Sequence, residues 1–68
     1  MREMGTAIYR AVDAGIVREP FSATDARRAL PRFADSWGTF LPKHRVGNPG
    51  ANTELFVQAG RGRYRLNR

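Results

Sequence analysis

A chain of 68 residues with no cysteine has no covalent staple. Disulfides and cysteine-ligated zinc, which hold together many domains of this size, are both excluded. On folding, such a chain buries only about 60% of the surface its unfolded form exposes, so its core is thin and must pack closely. The length allows one domain, residues 1–68, and no more. Hydrophobic residues are 41% of the chain, which argues against disorder. The longest apolar runs are two or three residues, so nothing in the chain is expected to span a bilayer or to need a membrane partner. Met1-Arg2-Glu3-Met4-Gly5 leads into no apolar signal-peptide region, and a soluble, cytoplasmic protein is expected.

Charge narrows the function. Twelve Lys and Arg stand against six acids, a net of +6, and eleven of the twelve cations are Arg. Residues 1–35 carry six Arg and five acids, a net of +1. Residues 36–68 carry six cations and only Glu54, a net of +5. A basic half on a near-neutral half suits a surface that meets a polyanion. Arginine presents a rigid fork of donors that matches phosphate and base edges.

The hydrophobic periodicity predicts three helices and a hairpin. Met4, Ala7, Ile8, Ala11 and Val12 fall on one face of a helix running from Glu3 to Ala14, which Gly15 ends. Ile16 and Val17 form a β-branched pair, read as a short edge strand. Ser22 and Asp25 have capping-box spacing, opening a second helix that Pro31 stops. Phe33, Trp37, Phe40 and Leu41 form a third helical stripe, with Asp35 or Ser36 as its N-cap. Pro42 leaves two alternatives: an end at Leu41, or a bend continuing to Arg45. Residues 47–53 read as a loop. Residues 54–59 read as a strand, Gly60-Arg61-Gly62 as a turn, and Arg63-Tyr64-Arg65-Leu66 as a second strand. Tyr64 and Leu66 should face inward, Arg63 and Arg65 outward. The fold class is therefore α+β.

Catalysis has little to work with. His44 is the sole histidine, the acids are scattered, and no metalloprotease, P-loop or nucleophile-elbow spacing occurs. No metal, cofactor or enzymatic activity is expected. The ordered pair of helices suggests a helix-turn-helix, whose second helix enters the major groove. That helix, residues 36–45, would present Ser36, Thr39, Lys43 and His44, with Arg45 anchoring its end. Arg27 and Arg28 on the preceding helix would touch the flanking backbone. A hairpin with Arg61 at its tip and Arg63 and Arg65 on one face suits phosphates or a minor groove. Trp37 and the other rings could form a stacking platform, but a core this small needs them inside.

The order helix, helix-turn-helix and a hairpin ending Leu55-Phe56-Val57-Gln58-Ala59-Gly60-Arg61-Gly62-Arg63-Tyr64-Arg65-Leu66 resembles a winged helix domain. Its tail is similar to the final wing of small winged-helix modules that occur alone or at the ends of bacterial restriction endonucleases, including methylation-dependent ones. The resemblance covers roughly residues 6–66. It implies a non-catalytic binder of duplex DNA, a bacterial or phage-like transcriptional regulator or DNA-targeting module, nucleoid-associated in the cell. Three rival expectations stand beside it: a winged helix gripping an acidic protein partner, a reader of methylated DNA in a restriction system, and an RNA binder.

Overall fold

The computed structural model describes residues 2–50 and 52–68. Three helices precede a two-stranded antiparallel hairpin: α1 (Arg2–Asp13), α2 (Ala23–Ala29), a 3₁₀ turn (Pro31–Phe33), α3 (Trp37–Lys43), β1 (Phe56–Gly60) and β2 (Arg63–Leu66). The fold is α+β, as the periodicity predicts. Of the expected loop 47–53, position 51 lies outside the described residues.

Helix α1 buries Met4, Ile8 and Ala11, with Ala7 and Val12 half-buried beside them. Gly15 ends the turn after it in the left-handed region (φ 75°). The chain then folds back over the helix end, and the N–H groups of Ile16 and Val17 both donate to the Ala11 carbonyl (2.9 and 3.2 Å). This corrects the expected edge strand at Ile16 and Val17. Their backbone donors are taken up by α1, and Ile16 is left 67% exposed. The extended contact lies at Phe21 instead. It exchanges two backbone hydrogen bonds with Tyr64 of β2, each 2.8 Å.

The capping box forms as its spacing requires. Ser22 Oγ accepts from the Asp25 N–H at 3.2 Å, and Asp25 Oδ2 accepts from the Ser22 N–H at 3.0 Å. Phe21 and Ala26, flanking this cap, are both fully buried. Pro31 ends α2 and opens the 3₁₀ turn, which leads into α3.

Helix α3 has Ser36 at its N-cap position, though the Ser36 side chain makes no capping hydrogen bond. The helix runs through Pro42 but stops at Lys43, between the two ends the sequence left open. Pro42 lacks the N–H that would reach the Gly38 carbonyl, so that bond is missing one residue before the helix ends. Beyond its end the chain is held from outside: the His44 carbonyl accepts from Leu55 N (2.8 Å) and Phe56 N (3.1 Å). Asn48 Nδ2 covers the exposed helix end, donating to the carbonyls of Pro42 (2.6 Å) and Lys43 (3.3 Å).

In the hairpin, Phe56 pairs with Leu66, Val57 with Arg65 and Gln58 with Tyr64, and a bulge before Gly60 shifts the register. Strand β1 starts later than expected because Leu55 bonds to His44 and Glu54 turns its carboxylate to the Gly47 N–H (2.9 Å). A parallel bridge joins Arg45 to Phe56. Backbone pairing thus runs Phe21, β2, β1, Arg45 across the molecule. Phe21, Trp37, Leu41 and Phe56 are fully buried. The Trp37 ring packs edge-on against Phe33 (6.0 Å) and Phe40 (5.7 Å), and its Nε1 donates to the Leu30 carbonyl at 3.4 Å. It is a core residue and offers no face for stacked bases.

Two substitutions test this packing. Ser22→Ala should cost about 1 kcal/mol, lowering Tm by about 4–8 °C, and an unchanged melting point would place the start of α2 elsewhere. Trp37→Ala should cost about 3–5 kcal/mol. A 68-residue domain has only about 3–10 kcal/mol in total, so circular dichroism should find this variant largely unfolded.

Candidate nucleic-acid interface

The alternation of β2 sorts its side chains by face. Tyr64 and Leu66 are buried, while Arg63 and Arg65 are exposed. Arg61 stands in the turn beside Gly62, which adopts φ 67°. Glycine takes that backbone conformation at no steric cost, so a tight tip can present a long cation. The side chains of Arg61 and Arg65 carry no hydrogen bond or ion pair among the described residues.

Ser36, Thr39 and Lys43 are exposed and spaced three and four apart, so they share one face of α3 and its cap. The opposite face holds the buried Trp37, Phe40 and Leu41. The next two expected contacts sit differently. His44 is 9% exposed, its ring 4.5 Å from that of Phe40. Its Nδ1 donates to the Thr53 carbonyl at 2.7 Å, and Nε2 is buried without a partner among the described residues. The basic run Lys43-His44-Arg45 therefore does not present His44 outward. The chain leaves the helix there, and the ring turns into the core. Arg45 is half-buried, and its Nη1 donates to Gln58 Oε1 of β1 at 2.9 Å. It ties the end of α3 to the hairpin.

On α2, Arg27 and Arg28 are both exposed. Arg27 Nε donates to the Ala34 carbonyl at 3.1 Å, bracing the turn toward α3. Arg28 faces the hairpin across a cleft that Arg63 also lines. Arg63 Nη1 lies 3.8 Å from Asp25 Oδ2. The Asp25 carboxyl is held below the usual range, first by the Ser22 backbone N–H, and further by the Ser22 hydroxyl and the Arg63 and Arg28 charges. Away from this pair, the Arg68 guanidinium binds Asp13 at 2.6 Å and lowers its carboxyl in the same sense. The structure thus brings Arg28 to Arg63 and Arg45 to β1. The exposed row on α3 has no described contact with either.

Among the described residues, no three His, Cys, Asp or Glu side chains converge as metal ligands. A concavity of about 590 Å³ beside α1 is lined by Tyr9, Arg10, Phe40, His44 and Leu55. Two of the polar groups around it are engaged: the Tyr9 hydroxyl donates to the Leu55 carbonyl at 2.7 Å, and Asp13 is held by Arg68. No described helix is long and apolar enough to cross a membrane.

Three positioning residues escape a sequence reading. Asn48 caps α3, and its place in a Gly-Asn-Pro turn after a basic helix end is a usable signal. Gln58 holds Arg45, and Glu19 Oε2 accepts from the Leu66 N–H at 2.6 Å. The last contact spans 47 residues, and no local pattern announces it.

Asp25 carries the pH dependence of this corner. A carboxyl whose folded value is depressed adds stability that is fully present above its unfolded value near 3.8. That stability is lost as pH falls through the lower folded value. In urea titrations, Asp25→Asn should be less stable than the parent at about pH 6, and the gap should close toward about pH 2. A gap independent of pH would assign the loss to the cap alone.

Compared with known proteins, the chain has no significant match to a family model, a curated protein or a solved structure.

Proposed function

We propose that the domain is a winged helix-turn-helix module that binds duplex DNA without catalysis. The observation that carries this reading is the two-sided hairpin. Its buried side, Phe56, Tyr64 and Leu66, is core, while Arg61, Arg63 and Arg65 stand exposed from its tip and outer side. A narrow ribbon with outward arginines can follow the phosphate backbone or enter a minor groove. The layout supports the same reading. Three helices are followed by a hairpin, and the segment before α2 bridges to β2 at Phe21. In this arrangement α3 is the groove-entering helix, with Ser36, Thr39 and Lys43 as its outward row. Arg28 flanks the hairpin as a backbone contact, and Arg45 acts by holding the two elements together. His44 supports Phe40 and takes no part in contact.

Phosphate contacts position a protein on the duplex, and base contacts specify the sequence. The two kinds separate in a salt series with a pool of random duplexes. Each neutralised phosphate contributes about 0.9 to the slope of log affinity against log salt. Arg61→Ala should weaken binding to all duplexes about equally and flatten the slope by about one unit. Thr39→Ala should leave the slope unchanged and blur any preference between sequences. If Arg61→Ala and Arg63→Ala together leave the slope unchanged, the hairpin is not on DNA, and an acidic protein partner becomes the better occupant of the basic half.

A further inference from the structure

We propose that Arg18, Arg28 and Arg63 form a single seat for one phosphate group, filled in the duplex complex by a backbone phosphodiester. The three come from separate parts of the chain: the loop after α1, the body of α2 and the first residue of β2. All three are exposed, and all three line one cleft of about 380 Å³, in which Asp25 is the one acid among the described residues. Three guanidiniums against one carboxylate leave that cleft with two uncompensated positive charges. Arginine is the side chain best matched to phosphate oxygens, because its planar fork donates to two at once.

The existing contact inside the cleft is weak enough to exchange. The Arg63–Asp25 separation is 3.8 Å, and their side chains are 55% and 39% exposed. Ion pairs in such surroundings contribute little. The carboxylate oxygen nearest Arg63, Oδ2, already accepts the Ser22 N–H. Asp25 therefore keeps its capping role when Arg63 turns to a phosphate. The carboxylate holds Arg63 at the cleft in the free protein and opposes an anion once one arrives. Arg18 gives the seat its third side, and nothing in its local sequence marks it for this role. The cleft joins α2 to the hairpin, so one phosphate held there fixes both elements on the same strand.

The filling by DNA rests on the duplex reading above, whereas the seat itself can be probed with inorganic phosphate. The experiment follows the arginine Nε–H resonances of the whole labelled chain, first with inorganic phosphate and then with a short mixed-sequence duplex. Phosphate should move Arg18, Arg28 and Arg63 together, with one shared midpoint, and spare Arg10 and Arg32. Arg18→Ala should weaken that response several-fold at the other two, and Asp25→Asn should strengthen it. With the duplex, Arg18→Ala should weaken binding about eightfold at 0.1 M salt, the factor that a slope of 0.9 gives over one decade of salt. Phosphate moving every exposed arginine alike would overturn the seat. A duplex that moves Arg61 and Arg65 but spares these three would overturn it too, while leaving the duplex reading in place. A saturable phosphate response at the three arginines with no duplex affinity would keep the seat and overturn the duplex reading.

Discussion

The Phe56 ring determines where the hairpin sits. It is fully buried, and four rings surround it: Phe40 of α3 at 5.9 Å, Phe21 at 6.0 Å, and Tyr9 of α1 and Tyr64 of β2 each at 6.5 Å. All four pairs are tilted or edge-on, the arrangements that the ring quadrupole favours. Such pairs add about 0.5–1.5 kcal/mol each beyond the burial of their area. The same residue pairs through its backbone with Leu66 on one side and Arg45 on the other. A chain with no cysteine thus docks its ribbon on its helices around one side chain, whose backbone pairs with β2 on one side and with the bridge at Arg45 on the other.

The outer surface follows from that anchor. A strand alternates, so fixing Tyr64 and Leu66 inward fixes Arg63 and Arg65 outward. The one acid of the basic half, Glu54, is turned into the loop at Gly47. Arg27 and Arg45 brace the elements, Arg63 rests against Asp25, and Arg61 and Arg65 stand free among the described residues. The arginines therefore divide into those that build the scaffold and those that face outward, and the excess charge lies in the second group.

The elements that local chemistry fixes were legible in the sequence. The Ser22–Asp25 box, the apolar face of α1, the buried Trp37 and the alternation of β2 rest on spacing, and the structure has them all. What was not legible depends on distant partners. Ile16 and Val17 have strand propensity, but the end of α1 takes up their N–H groups. The third helix stops at Lys43, and just beyond it Leu55 and Phe56 reach the His44 carbonyl from across the loop. The same turn draws His44 into the core out of a run of cations that reads as a solvated surface. On the candidate interface, the hairpin arginines were visible as a pattern, whereas the meeting of Arg18, Arg28 and Arg63 in one cleft depends on the fold.

The central claim is that the outward arginines of the hairpin meet a polyanion while the arginines of the groove along α1 do not. Arginine-directed chemical modification, read by mass spectrometry with and without a random-sequence duplex, tests it most directly. The account predicts that the duplex protects Arg61, Arg63 and Arg65 and leaves Arg10 and Arg32, which line a groove along α1, as reactive as in the free protein. Equal reactivity at all five with and without duplex, or protection confined to Arg10 and Arg32, would contradict it.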